Sequence, residues 1–336
     1  MKRNWFLAVI GLIVVLALAG CGEKSQEDIV KALDDKVENL TGYKAEAKMT
    51  LQAGAEPQEY EVEIWHKTPT FYRVNLKNAQ KEQSQMILRN QEGVFVLTPA
   101  LNKSFRFQSD WPQNSSQAYL YESLVKDILD DPEAKFTSTE TGYVFETKTN
   151  YKNNKMLPVQ EITFDKKDLT PVLVKVMDPD RNPLLTVEFS NFEFDPSFDE
   201  NAFDVQKNMS GAQLEVPVMA GVNDEPLTVM YPEVEIEGVN LEEEQKLETE
   251  NGTRIIMTFG GEKSFTLIQE KAQVSEVGTT TVVSGEPVDL GFTVGALSEN
   301  SLSWSYQGVD FMLASEDLTQ EEMQMIARSV QGQSIK

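Results

Sequence analysis

Cysteine and histidine, the residue types that most often carry chemistry, each occur once in this chain of 336 residues, as Cys21 and His66. A histidine-rich zinc site, a Ser-His-Asp triad and a Cys-His dyad are therefore excluded in their usual forms. The sequence also lacks a G-x-S-x-G elbow, a phosphate-binding loop and a dinucleotide fingerprint. Carboxylates are abundant, but no pattern singles out an acid–base pair. We therefore expect a protein that is not an enzyme and that uses no cofactor and no metal.

The chemistry that remains is attachment at Cys21, because of the segment that precedes this residue. Lys2 and Arg3 are followed by an almost wholly apolar run over residues 5–18 and then by small residues. A charged start, an apolar middle and small residues at a cut site predict a secretory signal peptide. The apolar run is also shorter than the roughly 20 residues that a membrane-spanning helix needs.

Residues 18–21, Leu-Ala-Gly-Cys, resemble the bacterial lipobox. The resemblance implies that Cys21 carries a diacylglyceryl group, that the chain is cut before Cys21, and that the new N-terminus receives an acyl chain such as palmitate. Two acyl chains anchor a protein stably where one does not. Residues 1–20 would then be the signal peptide and 21–24 the lipidated N-terminus, with the rest on the outer face of the cell membrane. The alternative is an uncleaved anchor helix with a chance cysteine.

The charge of the chain limits its partners. It carries 30 basic and 54 acidic residues, a formal net charge of −24. Such a surface repels nucleic acid and anionic lipid headgroups, so we expect no nucleic-acid partner and a membrane contact made through the lipid alone. Beyond Cys21 no cysteine is left to form a disulfide, so the core alone must stabilise the fold.

Residues 25–206 predict a large sheet with two helices. Glutamates alternate with apolar residues over 59–64, which predicts a half-buried strand. Amphipathic patterns predict helices at 25–41 and 116–131. Strands this close in sequence favour a meandering antiparallel sheet, and a sheet of many strands curls. We therefore expect a mainly β (α+β) fold with a half-barrel closed by helices around an apolar ligand cavity. Further strand patterns occur at 71–76, 85–89, 94–97, 104–107, 143–147, 160–164, 171–177 and 184–194.

Three segments of this region carry a family resemblance. Residues 64–73 read Ile-Trp-His-Lys-Thr-Pro-Thr-Phe-Tyr-Arg, residues 90–99 read Asn-Gln-Glu-Gly-Val-Phe-Val-Leu-Thr-Pro, and residues 187–203 end in Phe-Asp-Glu-Asn-Ala-Phe. They resemble three segments of the outer-membrane lipoprotein-sorting proteins, the LolA/LolB-like superfamily. The first is similar to the W-x-K-x-P-x-x-x-R segment of that family and the second to the segment that follows it. The third is similar to the family's last strand and its D-x-x-x-F tail. The chain resembles most the lipid-anchored, sporulation-associated type of Gram-positive spore formers. The resemblance implies an incomplete antiparallel β-barrel with a helical lid and a cavity for acyl chains.

Two residues receive candidate roles from this resemblance. Arg73 falls at the position of the arginine that, in the family, holds the lid helices by hydrogen bonds and releases them when lipid enters. The resemblance thus implies lid or ligand contact for Arg73, and an outward-facing strand arginine is the alternative. Trp65 is either a packing residue or a platform for ligand. We expect His66 and Lys67 to face solvent.

The last third of the chain predicts a linker and a smaller α+β domain. Residues 207–226 are rich in Asn, Ser, Gly and Pro without a period, which is typical of a linker. Within 227–336, a tight hairpin is expected about Gln307-Gly308 and a helix after the capping box at 319–322. The three glutamates at 242–244 indicate a solvated surface rather than a metal site. Strands are predicted at 233–237, 253–259, 264–269, 279–283 and 288–294.

This end of the chain resembles a C-terminal domain of unknown function found in other Gram-positive lipoproteins and anti-sigma factors. The resemblance supplies no activity. The positions that carry it are Trp304, Gly308, Phe311, Leu318, Glu321 and Glu322.

Two functions fit these patterns. The first is a lipid-anchored extracytoplasmic binding protein of the cell envelope or of sporulation, whose half-barrel holds a lipid or the acyl chains of a lipoprotein. It requires a continuous apolar cavity and fails if Phe and Tyr side chains fill that space. The second is a non-catalytic scaffold that docks another envelope or cell-wall-processing protein.

Overall fold

The fold is known from a computed structural model and is built mainly of strands. Within the described part of the chain, two large sheets and four α-helices account for most of the regular structure. The described residues are 24–52, 57–78, 84–113, 116–151, 156–215, 227–234, 236–250, 252–275, 279–283, 285–290 and 293–331.

The larger sheet has twelve strands, in the order β16-β6-β5-β4-β3-β2-β1-β11-β10-β9-β8-β7. All neighbours pair antiparallel except β16, which runs parallel to β6. The predicted meandering antiparallel sheet is therefore confirmed. Its strands are β1 Gly42–Leu51, β2 Gln58–Lys67, β3 Phe71–Asn78, β4 Ser84–Asn90, β5 Gly93–Thr98, β6 Lys103–Phe107, β7 Lys135–Ser138, β8 Gly142–Lys148, β9 Val159–Asp165, β10 Pro171–Met177, β11 Pro183–Phe194 and β16 Thr279–Val283.

This sheet is open rather than a closed barrel. Strands β1 and β11 pair in its middle and join the two halves of the meander. In the part of the chain that the structure describes, the terminal strands β16 and β7 each have a single neighbour.

Helices α1 (Gln26–Glu38) and α2 (Tyr121–Asp130) pack on one side of the sheet, which we name the core face. Helix α1 begins at a capping box, in which the Asp28 amide donates to the Ser25 hydroxyl at 3.2 Å and the Ser25 amide donates to the Asp28 carboxylate at 3.0 Å. Ile29 and Leu33, on its apolar side, are fully buried against the core face. Among the helices of the described residues, none has both the length and the apolar content that crossing a bilayer requires.

A third helix, α3 (Val205–Glu215), packs on the opposite side of the sheet, the outer face. Residues 207–215 are thus helical, where the sequence predicted an irregular linker. The helix has little amphipathic character, and Leu214 is 89% exposed. Its position comes from tertiary packing, because Val205, Met209 and Ala212 lie one turn apart and contact apolar side chains of β4 and β5.

The second sheet has seven strands, in the order β13-β14-β15-β20-β19-β18-β17. Helix α4 (Gln320–Ser329) follows it and begins at the predicted capping box of Thr319 and Glu322. The strand expected at 233–237 is not formed at its described residues, since β12 covers only Tyr231–Pro232 and pairs with β21 (Val330–Gln331). The strands of the second sheet are β13 Val239–Thr249, β14 Gly252–Gly261, β15 Phe265–Lys271, β17 Glu286–Asp289, β18 Val294–Leu297, β19 Ser301–Tyr306 and β20 Val309–Ala314.

The hairpin between β19 and β20 has the predicted two-residue turn. Tyr306 pairs with Val309, and the two residues between them, Gln307 and Gly308, have φ values of 51° and 75°. Positive φ at both positions matches the twist of the flanking strands, and glycine adopts it without strain.

The two sheets are joined by polar contacts as well as by β16. The Gln85 side chain accepts from the Val294 amide at 2.7 Å, and Lys103 pairs with Asp310 at 3.0 Å. The sequence assigned residues 279–283 to the smaller domain, but as β16 they extend the larger sheet. The parts of the chain on either side of the predicted linker therefore share one sheet.

Candidate functional site

Arg73 on β3 and Trp65 on β2, the two residues to which the sequence assigned a possible ligand contact, lie directly opposite each other. Cys21, the predicted lipidation site, lies outside the described residues. The Arg73 guanidinium sits 4.2 Å above the centre of the Trp65 ring. Its Nε donates to Asn208 Oδ1 and its Nη1 donates to Glu63 Oε2, both at 2.7 Å. The Arg73 side chain is only 14% exposed, so packing and these two bonds hold it in place.

Arg73 and Trp65 are on the outer face. Side chains alternate between the faces of a strand, and the neighbours Tyr72 and Val74 are in the core that α1 and α2 cover. The helix that Arg73 contacts is α3, through Asn208, rather than α1 or α2. The contact with a ligand that the resemblance implied for Arg73 and Trp65 stays a prediction.

The expectation that His66 faces solvent is wrong. His66 is 3% exposed, its ring stacks on Tyr72 with centroids 4.4 Å apart, and Nδ1 lies 3.1 Å from the Phe71 carbonyl oxygen. The alternation of side chains along β2 indicates that His66 is buried, because His66 is two residues beyond Ile64 and lies on the same face of the strand. Lys67, the next residue, is exposed as expected.

His66 belongs to a group of four side chains beneath the start of α2, which we name the polar core cluster: Tyr43, His66, Tyr72 and Glu122. The Tyr43 hydroxyl donates to Glu122 Oε2 at 3.0 Å and accepts from the Tyr121 amide at 3.2 Å. Glu122 Oε1 is 4.0 Å from His66 Nδ1. Burial, together with the Glu122 carboxylate, raises the pKa of Tyr43 and that of Tyr72, so both remain neutral hydroxyl donors.

The polar core cluster fastens a helix to the sheet. Glu122 is in the first turn of α2, where a carboxylate is also favoured by the helix dipole, and its partners come from three adjacent strands, β1, β2 and β3. The Tyr43 hydroxyl additionally satisfies the Tyr121 amide, one of the free donors of the first turn of α2. The sheet thus caps this helix as well as covering it.

A matched pair of tyrosines tests this fastening. Tyr43→Phe is expected to lower the free energy of unfolding by about 2 kcal/mol, because it leaves the partly buried Glu122 carboxylate and the Tyr121 amide without their shared partner. Tyr121→Phe is expected to change it by less than about 0.5 kcal/mol, because the Tyr121 hydroxyl is buried without a hydrogen-bond partner among the described residues. Urea unfolding followed by tryptophan fluorescence measures both. Equal losses in the two variants would contradict the assigned role.

The core face is filled by large side chains. Tyr121 contacts Phe164 edge-on with ring centres 6.2 Å apart, and Phe164 contacts Phe145 in the same way at 6.2 Å. This is the space that the lipid hypothesis requires to be an open apolar cavity. Aromatic side chains here with at most 1% exposure are Tyr43, Tyr119, Tyr121, Phe145 and Phe164.

Two of the cavities in the described part of the chain lie between the sheets. One is small, about 60 Å³, and is lined by Tyr60, Gln85 and Tyr306 among others. The other, which we name the intersheet groove, measures about 380 Å³ and lies between β6 with β16 on one side and β18–β20 on the other. Its wall combines apolar side chains, such as Trp304 and Phe311, with polar ones, and the ion pair of Lys103 and Asp310 is part of its lining.

Two groups that could act as an acid or a base, His66 and Asp127, are buried. The one histidine is buried under aromatic rings, where a substrate cannot reach it. No three histidine, cysteine, aspartate or glutamate side chains are grouped as metal ligands in the described ranges. Burial raises the pKa of Asp127 in α2. This residue is 5% exposed, and its carboxylate accepts a hydrogen bond from the Gln160 side chain. These groups have structural partners rather than an open site.

Comparison with known proteins gives two close matches and several distant ones. A family model described as YdcC-like sporulation protein matches residues 1–203. The sporulation protein YdcC of Bacillus subtilis (strain 168) is 58% identical over 335 residues, which cover 100% of this chain and 99% of that protein. The MucA/MucB complex of Pseudomonas aeruginosa gives a TM-score of 0.33 at 13% identity, over 90% of this chain and 99% of that chain. A putative outer membrane lipoprotein-sorting protein domain from Vibrio parahaemolyticus gives 0.31 at 14% identity, over 54% and 96%. TM-scores this low support no inference about function.

Proposed function

Since the chain belongs to the family of YdcC-like sporulation proteins, we propose that it is a non-catalytic, lipid-anchored scaffold that binds another protein of the cell envelope during sporulation. The observation that carries this choice is the filled core face. Rings with at most 1% exposure occupy the space between the sheet and its helices, and the polar core cluster holds α2 down on them. A carrier of acyl chains needs that space empty or easily opened.

The proposed location follows from the segment that ends at Cys21. Its charged start, apolar middle and lipobox-like tetrad favour export, cleavage and lipidation, which would leave the folded body on the outer face of the membrane. The acidic surface agrees with a body that touches the membrane only through its acyl chains.

Capture in sporulating cells tests the proposal. The full chain, tagged at its C-terminus, is crosslinked and purified from membranes, and we expect one envelope protein to be recovered in stoichiometric amount. A Cys21→Ser variant serves as the control for location, because without the thiol no diacylglyceryl group can be attached, and it should leave the detergent-extracted fraction. A chain that is recovered alone from membranes would overturn the scaffold proposal.

The second candidate function is lipid binding, and the intersheet groove is the observation that favours it. Its volume of about 380 Å³ is within the range of small-ligand sites, and apolar side chains such as Trp304 and Phe311 are part of its wall. Native mass spectrometry of residues 23–336, before and after incubation with membrane lipids, separates the two candidates. A bare protein mass in both cases supports the scaffold, whereas a reproducible lipid adduct supports the binding protein.

A further inference from the structure

Strand β13 forms one edge of the second sheet and is exposed along its whole length. It pairs with β14 through residues 239–249, and no other described strand lies beside it. Ten of its eleven residues are exposed, on both faces of the sheet, and the first is half-buried. A long edge strand presents unpaired N–H and C=O groups, which can pair with another extended chain.

The side chains of β13 determine which chain could pair with it. Four glutamates and a single lysine give the strand an excess of three negative charges, and Leu241 and Leu247 stand 42% and 43% exposed near its two ends. Pairing with a second copy of β13 would bring together two strands that each carry three net negative charges, which disfavours the pairing. A strand with lysine or arginine at alternate positions would instead meet two carboxylates, Glu244 and Glu248, on one face of the sheet, or that of Glu243 on the other face. The charged residues are Glu242, Glu243, Glu244, Lys246 and Glu248.

The glutamates face both sides of the sheet. Glu244 is opposite Met257, a core residue of β14, and its carboxylate accepts from the Tyr231 hydroxyl at 2.7 Å. Glu243 is opposite Thr258 and so points to the other side. An incoming strand therefore meets negative charge whichever of its faces carries its basic residues.

We propose that β13 is the docking edge for an extended, basic segment of the partner protein, which adds to the second sheet as an eighth strand. This inference rests on the proposed scaffold function and names its contact surface. An added strand of this length makes roughly five backbone hydrogen bonds, which supply affinity, while the carboxylates select the charge of the partner. The same carboxylates keep two copies of the chain from joining edge to edge.

The test uses residues 23–336 and a nine-residue peptide in which lysine alternates with threonine. We expect the peptide to bind and the triple variant Glu243→Gln, Glu244→Gln, Glu248→Gln to bind it about tenfold more weakly, because the variant removes the opposite-charge pairs on whichever face of the sheet receives the lysines. The matched control is Glu46→Gln, Glu61→Gln, Glu188→Gln. It removes the same charge from exposed residues of β1, β2 and β11, which already have strands on both sides. This control is expected to change the affinity less than twofold.

A second peptide separates strand addition from simple charge attraction. It has the same sequence, but alternate backbone nitrogens are methylated, so that one edge cannot donate hydrogen bonds, and we expect no binding. Equal weakening by both triple variants, or equal binding of the methylated peptide, would overturn the proposal. The proposal would also be overturned if the unmethylated peptide did not bind. It would be overturned as well if light scattering showed a dimer in which a second copy of the chain occupies the β13 edge. If cells yield a partner that the β13 variant retains in full, the docking edge is wrong while the scaffold function stands.

Discussion

Phe164→Ala is expected to lower the free energy of unfolding by about 3–5 kcal/mol, the loss that follows truncation of a fully buried phenylalanine. Phe164 is 0% exposed and contacts the rings of Tyr121 and Phe145. Its removal leaves a cavity between the sheet and α2 that the fastened helix cannot collapse to fill. Guanidinium unfolding measures the loss, and Val172→Ala is the matched control. Val172 is on the neighbouring strand but 43% exposed, so we expect less than about 1 kcal/mol.

The same variant tests whether the core face is full. A dry apolar cavity binds small apolar molecules, and a ligand that binds only the folded state raises the melting temperature. Benzene should therefore raise the melting temperature of the Phe164→Ala variant and leave that of the parent chain unchanged. An equal rise in both, or a loss below about 1 kcal/mol, would mean that the interior is loosely packed and would favour the lipid-binding candidate.

Asp127→Asn is expected to stabilise the protein by up to about 3 kcal/mol at pH 7.5 and to have no effect at pH 3.5. Burial raises the pKa of Asp127 to about 6 from 3.8, although hydrogen bonds from Ser116 and Gln160 oppose this rise. The folded state thus holds the proton more tightly than the unfolded state. The stability from this group is fully present below pH 3.8, falls as the pH rises, and is lost above about pH 6. A shift of two pKa units corresponds to about 2.7 kcal/mol.

Asparagine matches the protonated acid in shape and cannot ionise. Its side-chain oxygen can still accept from Gln160 Nε2, which is 2.6 Å from Asp127 Oδ2. Urea unfolding at several pH values between 3.5 and 7.5 gives the curve, and Asp130→Asn is the control on the same helix. Asp130 forms an exposed pair with Lys126, so we expect a change below about 0.5 kcal/mol. If the difference in the free energy of unfolding between Asp127→Asn and the parent chain does not vary with pH, the pKa of Asp127 is not raised in the folded state.

Much of the larger sheet was predictable, because many of its strands, such as β2 and β3, alternate between buried and more exposed residues, and its turns carry Gly, Pro and Asn. The burial of His66 could also be predicted, because His66 is two residues beyond Ile64 on the same strand and its side chain therefore lies on the same buried face. The polar character of histidine instead suggested exposure to solvent. The membership in a sporulation family, inferred from three short segments between residues 64 and 203, is confirmed by the family model and by the 58% identical relative.

Two features could not be predicted, for physical reasons. Helix α3 has little amphipathic character and depends on Met209 and its neighbours docking onto β4 and β5, a tertiary effect that local pattern does not encode. The pairing of β16 with β6 joins segments more than 170 residues apart, and an extended pattern does not indicate which sheet a strand will join. The helix that Arg73 contacts depends in the same way on where α3 packs, because its partner Asn208 belongs to α3.

The placement of β16 links the completion of the fold to the order of synthesis. Strand β6 is synthesised well before β16, so the edge of β6 that pairs with β16 stays unpaired until residues 279–283 have been synthesised. A chain interrupted before that point would present β6 as a bare edge, open to misassembly or to proteases. The parallel strand thus completes this edge of the larger sheet only after residues 279–283 have been synthesised.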